Sequence, residues 1–150
     1  MARAFDLDQF PVLRGRHQFP LMTNDSQTPY AEIGGPEAVK QVVERFYHLL
    51  DVSPDYTAVR ALHGPDTSHA RQTLLEFLTS WLGGPALYFQ RPERRCVMSV
   101  HAHFPIGARE VRHWVDCMAQ AMNDCGIDEG PRLRIHQALD KFAGRMRNQE

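Results

Sequence analysis

From residue 35 onward the chain is cut by pairs of helix-punctuating residues, and between the cuts the apolar side chains recur at helical spacing. The cuts are Gly35-Pro36, Ser53-Pro54, Gly64-Pro65, Gly83-Gly84-Pro85 and Gly130-Pro131. Proline at a first helical position loses no hydrogen bond, and glycine just past an end supplies the backbone freedom a stop requires. After Pro36, the residues Val39, Val42, Val43, Phe46, Tyr47 and Leu50 share one helix face. Ser53-Pro54-Asp55 restarts a short helix that Gly64-Pro65 ends, and Thr67 or Ser68 caps the next. That helix is lined by Ala70, Leu74, Phe77, Leu78 and Trp81 and stops at Gly83-Gly84-Pro85. A short helix is expected over about 92–100. Gly107 opens a longer one with Val111, Trp114, Val115, Met118, Ala121 and Met122 inward, and Gly130-Pro131 starts the last, with Ile135, Leu139, Phe142 and Met146 inward. The one strand-like run, Val97-Met98-Ser99-Val100, is too short and isolated to found a sheet. The pattern predicts an all-α body of four main helices and two short ones.

With 150 residues the chain suits one domain large enough to bury a core without staples. A net charge of −1 and the lack of a Lys/Arg stripe argue against nucleic acid as a partner. No run approaches the roughly 18 apolar residues of a membrane span, and the first residues have no apolar signal-peptide core, so no membrane role and a cytoplasmic setting are expected. Cys96, Cys117 and Cys125 show neither CxxC nor zinc spacing and read as reduced thiols.

Residues 1–29 lack periodicity and read as an N-terminal arm ending at Thr28-Pro29, with the folded domain over 30–150. The arm carries Phe10, Val12, Leu13, Phe19, Leu21 and Met22, too many apolar residues for a bare linker, so part of it is expected to pack on the body. The same apolar residues make a homodimer a plausible assembly.

A set of motifs then falls in order: Tyr30-Ala-Glu-Ile-Gly-Gly35, Arg45-Phe46-Tyr47, Phe77-Leu-Thr-Ser-Trp-Leu-Gly-Gly-Pro85, His101-Ala-His-Phe104-Pro-Ile106, and Trp114-Val-Asp-Cys-Met118. Trp114 follows His101 by thirteen residues. In this order the motifs resemble those of the truncated haemoglobins, and the tryptophan after the histidine resembles the group II branch. The resemblance covers roughly residues 30–147. It implies a two-over-two helical sandwich around haem b (iron protoporphyrin IX).

What the resemblance implies can be followed residue by residue. His101 matches the proximal iron ligand: one ring nitrogen faces the metal while the other donates to a backbone carbonyl. His103 is the local rival, expected to face solvent. Tyr47 matches the tyrosine over the distal face, where a buried hydroxyl needs a partner. Trp114 matches the branch's distal tryptophan, whose indole N–H only donates and suits a dioxygen ligand. Counting back from the Leu74 helix puts the aromatic-or-histidine corner position at Leu62. A one-residue gap puts it at His63, which the run Ala-Leu-His-Gly-Pro-Asp favours. His63 can join the distal hydrogen-bond network or swing to bind iron as a sixth ligand. Ala70 falls where ordinary globins carry a distal histidine and leaves an opening beside the iron. Leu74, Phe77 and Phe104 are expected to contact haem.

Two positions depart from the family. Val100 stands where an arginine often reaches a propionate, and Thr73 where a basic residue can do so. Tyr88, Arg94 and Arg95, in the loop before His101, are the substitute candidates.

Function then divides by class. A binder of O2, CO, NO or similar small ligands is the leading reading, with three distal donors slowing O2 loss. A haem enzyme consuming NO or peroxide would use the same distal groups, but the chain has no flavin or nicotinamide domain, so turnover needs an external reductase. A sensor using the arm as its contact, and a helical regulator without haem, are further alternatives.

Overall fold

The computed structural model describes residues 28–93 and 95–150; the rest of the arm (1–27) and Arg94 lie outside the described residues. The described residues form seven α-helices and a 3-10 turn, with no strand among them. In chain order these are α1 (Pro29–Glu32), α2 (Gly35–Val52), a 3-10 turn (Pro54–Tyr56), α3 (Thr57–Ala61), α4 (Ser68–Trp81), α5 (Val97–His101), α6 (Ala108–Asp124) and α7 (Glu129–Gly144). No helix among the described residues is long and apolar enough to cross a membrane.

The expected four long helices are all present, and the local chemistry sets their ends. Thr28 caps α1, its Oγ1 accepting from Ala31 N at 3.2 Å, and buried Pro29 opens the helix. Gly34 and Gly35 then take left-handed backbone (φ 117° and 72°) to turn the chain into α2. Before α4 the carboxylate of Asp66 accepts from Ser68 N at 2.9 Å, while Thr67 holds the cap position without a capping bond. Glu110 reaches back to Gly107 N at 2.9 Å at the start of α6. The short helix expected near 92–100 is realised only over Val97–His101, because Pro92 and Glu93 form a turn and Cys96 is extended (φ −60°, ψ 125°). The last helix begins at Glu129, one residue ahead of Gly130.

Helices α2 and α4 pair on one side, α6 and α7 on the other, and α2 lies on α6 across the layers. The predicted inward residues of α2 (Val39, Val42, Val43, Phe46, Tyr47 and Leu50) are all buried, and Phe46, Leu50, Cys117, Met118 and Leu139 are the innermost large side chains with Val39. A buried side chain of this size contributes about 1.5–3 kcal/mol relative to exposure, so the α2–α6–α7 contact is the principal apolar support of the fold. Phe46 links it to the site: its ring meets both Tyr47 and Trp114, with centroids 5.2 Å and 5.7 Å away.

Candidate functional site

Helix α5 is five residues long, buries Val97, and ends on His101. At this spacing the imidazole of His101 turns back along the helix, and its Nδ1 lies 2.7 Å from Val97 O. A carbonyl only accepts, so in the neutral ring Nδ1 carries the proton and Nε2 keeps its lone pair. The turn beyond is tied down by Asn148, which sequence reasoning missed. Its Nδ2 donates to Phe104 O at 2.8 Å and to His101 O at 3.4 Å, and its Oδ1 accepts from Ile106 N at 3.0 Å. His103 is exposed, as expected.

Tyr47 comes from α2 with 3 % exposure. Its ring contacts are Phe46, His63 and the guanidinium of Arg71. Burial pushes its phenol up to about 12, with the Arg71 charge pulling the other way. His63 stands edge-on to Tyr47 at 5.7 Å between ring centres, with planes at 90°. Its Nδ1 is bonded to Val59 O at 3.0 Å, so neutral His63 is an acceptor at Nε2, where the sequence reading counted a third donor. Burial lowers the basicity of His63; the Val59 bond raises it, and the charges of Arg60 and His101 lower it further. Leu62, the alternative corner residue, is half-buried and packs against the core.

Trp114 is half-buried on α6 against Phe46. Along α4, Ala70, Thr73, Leu74 and Phe77 share a face by their helical spacing. Ala70 and Leu74 are half-buried, and Phe77 is buried against Tyr88, Phe89 and Phe142. Thr73 Oγ1 is buried without a hydrogen-bond partner. Of the loop candidates, Tyr88 is buried and donates its hydroxyl to Arg95 O at 2.6 Å. The side chain of Arg95 and that of Phe104 are exposed. Arg94 is outside the described residues.

These residues fit a haem. No group of three or more His, Cys, Asp or Glu side chains that could hold a metal ion occurs among the described residues. An imidazole whose Nδ1 is committed to a backbone carbonyl, as in His101, instead suits a metal whose other ligands come from a porphyrin. The unpaired Thr73 hydroxyl is a buried polar atom in want of a partner, an arrangement that costs about 1–3 kcal/mol while it stays unmade.

The profile of the bacterial-like globin family matches residues 28–148. Group 2 truncated hemoglobin YjbI of Bacillus subtilis is 29% identical over 128 residues, spanning 85% of this chain and 94% of the relative. Among solved structures, the group II 2-on-2 hemoglobin of Agrobacterium tumefaciens superposes with a TM-score of 0.79 at 32% identity, over 86% of this chain and all of that one (100%). The truncated oxygen-avid haemoglobin of Bacillus subtilis superposes with a TM-score of 0.73 at 29% identity, over 81% of this chain and 100% of its own. The ordered motifs, the all-helical fold and these matches agree: the chain belongs to the bacterial-like globins, in the group II branch of the two-on-two truncated haemoglobins.

Proposed function

We propose that this chain is a haem b protein that binds dioxygen and other small diatomic ligands, with His101 as the iron's proximal ligand and Tyr47, Trp114 and His63 as the distal polar groups. Membership of the family implies haem-based ligand binding. The observation that supports the residue assignment is the His101 Nδ1–Val97 O bond at 2.7 Å, at the position that matches the family's proximal ligand, because it commits one nitrogen to the backbone and leaves the other available to a metal. Haem b, when bound, supplies an iron that takes a diatomic ligand such as O2, CO or NO.

The chain's own residues do the rest. Helix α5 orients the His101 ring through the Nδ1–Val97 O bond, which turns Nε2 to the side away from the backbone partner. Tyr47 and Trp114 each offer one hydrogen-bond donor, which suits a ligand that gathers negative charge. His63, with Nδ1 committed to Val59 O, offers an acceptor at Nε2 to a proton-bearing partner in the distal pocket. Ala70, too small to donate or to block, leaves an access route. The Thr73 hydroxyl is suited to donate to a haem propionate. The oxygen-avid character of the Bacillus subtilis relative supports a binding role.

The test is the visible spectrum after haem is supplied, in ferric, dithionite-reduced and CO forms. Stoichiometric uptake, a Soret shift on reduction and a histidine-type CO complex are expected. His101→Gly should lose the imidazole signature, and external imidazole should restore it. Failure to take up haem would overturn the reading, and an unchanged spectrum in His101→Gly would move the ligand to another histidine.

A further inference from the structure

We propose that Arg71 is a positioning residue for Tyr47, a fixed cation that holds the tyrosine ring and strengthens its hydroxyl as a hydrogen-bond donor. This rests on the reading of Tyr47 as a distal donor. The Arg71 guanidinium carbon lies 5.0 Å from the centre of the Tyr47 ring, within the range where a cation is drawn to an aromatic face. A positive charge there stabilises negative charge on the phenol oxygen, so it favours O–H donation.

The cation is held from two sides. Arg71 Nε donates to Thr67 Oγ1 at 2.9 Å, at the N-cap position of the same helix, where the Thr67 hydroxyl makes no capping bond. Arg71 Nη2 reaches Asp51 Oδ2 at 3.2 Å near the end of α2. The other oxygen of Asp51 accepts from Arg60 Nε at 2.8 Å. Arg60 in turn donates through Nη1 to the carbonyl of Gly64 at 3.1 Å and, at 3.5 Å, to that of His63. One carboxylate therefore joins α2, which carries Tyr47, to α3, which leads to His63, and to α4, which carries Ala70. A single exposed ion pair adds little, but a guanidinium committed at Nε and Nη2 has a defined position over the ring.

The experiment is a double-mutant cycle on the haem-loaded protein using Arg71→Met, Tyr47→Phe and the pair. It reads O2 dissociation by stopped flow and the C–O stretch of the CO form by infrared. Arg71→Met keeps an unbranched apolar stem and removes the charge together with the fork. It should speed O2 release about threefold to tenfold and raise the C–O stretching frequency. In the Tyr47→Phe background the same substitution should change neither, because its route to the ligand is gone. Arg71→Lys, which keeps the charge but not the fork, should recover part of the effect and serves if Arg71→Met does not fold. An Arg71→Met effect of equal size in both backgrounds, or none where Tyr47→Phe alone has one, overturns the proposal. If Tyr47→Phe by itself alters neither reading, the distal role of Tyr47 is what fails.

Discussion

Tyr47 and His63 meet at right angles, ring centres 5.7 Å apart, with each ring anchored from outside the pair: Tyr47 by the Arg71 cation, His63 by Val59 O. The contact joins the middle of the first long helix to the corner after the third, and makes the protonation of His63 matter to both.

Burial is the main reason His63 resists a proton, so its pKa in the fold lies below the 6.5 of a free imidazole. The unfolded chain then takes the proton more readily. The stabilising contribution is present above about pH 6.5 and is lost as pH falls through the folded value. Denaturant midpoints of the haem-loaded protein should fall from pH 8 to pH 5, and His63→Phe, which keeps a ring against Tyr47, should flatten that slope. An identical slope in both proteins would remove His63 from the acid response.

At the alkaline end the sign reverses in pH but not in logic. Burial raises the Tyr47 phenol from 10.0 to about 12 and the Cys117 thiol from 9.0 to about 12. Both contribute stability that is complete below the unfolded values and lost as pH rises toward the folded ones. Midpoints should therefore drop between about pH 9 and 12. Tyr47→Phe should remove part of the drop above pH 10, where the unfolded phenol ionises. A Tyr47→Phe curve parallel to the parent's across this window contradicts the assignment.

Trp114→Phe keeps most of the packing against Phe46 and deletes one N–H donor. A net hydrogen bond of about 1–1.5 kcal/mol corresponds to roughly tenfold faster O2 release, with haem retained. Haem loss with unchanged ligand kinetics in the remaining holoprotein would show Trp114 to be a packing residue alone.

Gly84 admits no side chain. A Cβ there would stand 2.8 Å from Thr79 O and 2.8 Å from two carbons of the Tyr30 ring, and the backbone oxygen cannot move aside cheaply. Gly84→Ala should cost about 1–3 kcal/mol, read as a lower melting temperature. Gly64→Ala, where nothing lies within 4 Å of the added carbon, should be close to neutral and serves as the control. Equal melting temperatures for the two variants would refute the close approach of α1 to the end of α4.

Much of the site was legible because its rules operate within one helical turn. The α2 face was readable from its period, and its residues from Val39 to Leu50 are buried together. The resemblance singled out His101, and its bond to Val97 spans a single turn of α5. Arg71 was not legible. It follows Ala70, which matches the family's distal position, and its local partner Thr67 is by sequence one of two candidate caps, with Ser68. Its carboxylate partner Asp51 lies 20 residues upstream. Asn148 was invisible for the same reason, being 47 residues from the His101 carbonyl it supports.

The amino-acid order by itself determined where the long helices start and stop, to within a residue or two, and which faces they bury, since glycine turns and apolar periodicity are set within a few residues. It also marked His101, Tyr47 and Trp114 through their spacing in a known pattern. Only the tertiary structure decided which side chains meet: His63 rather than Leu62 against Tyr47, Asp51 shared between Arg60 and Arg71, and Asn148 across the turn after His101. Hydrogen bonds and ion pairs act over a few ångströms, and the packing of α2 against α3 and α4 and of α6 against α7 is what brings those distant positions into range.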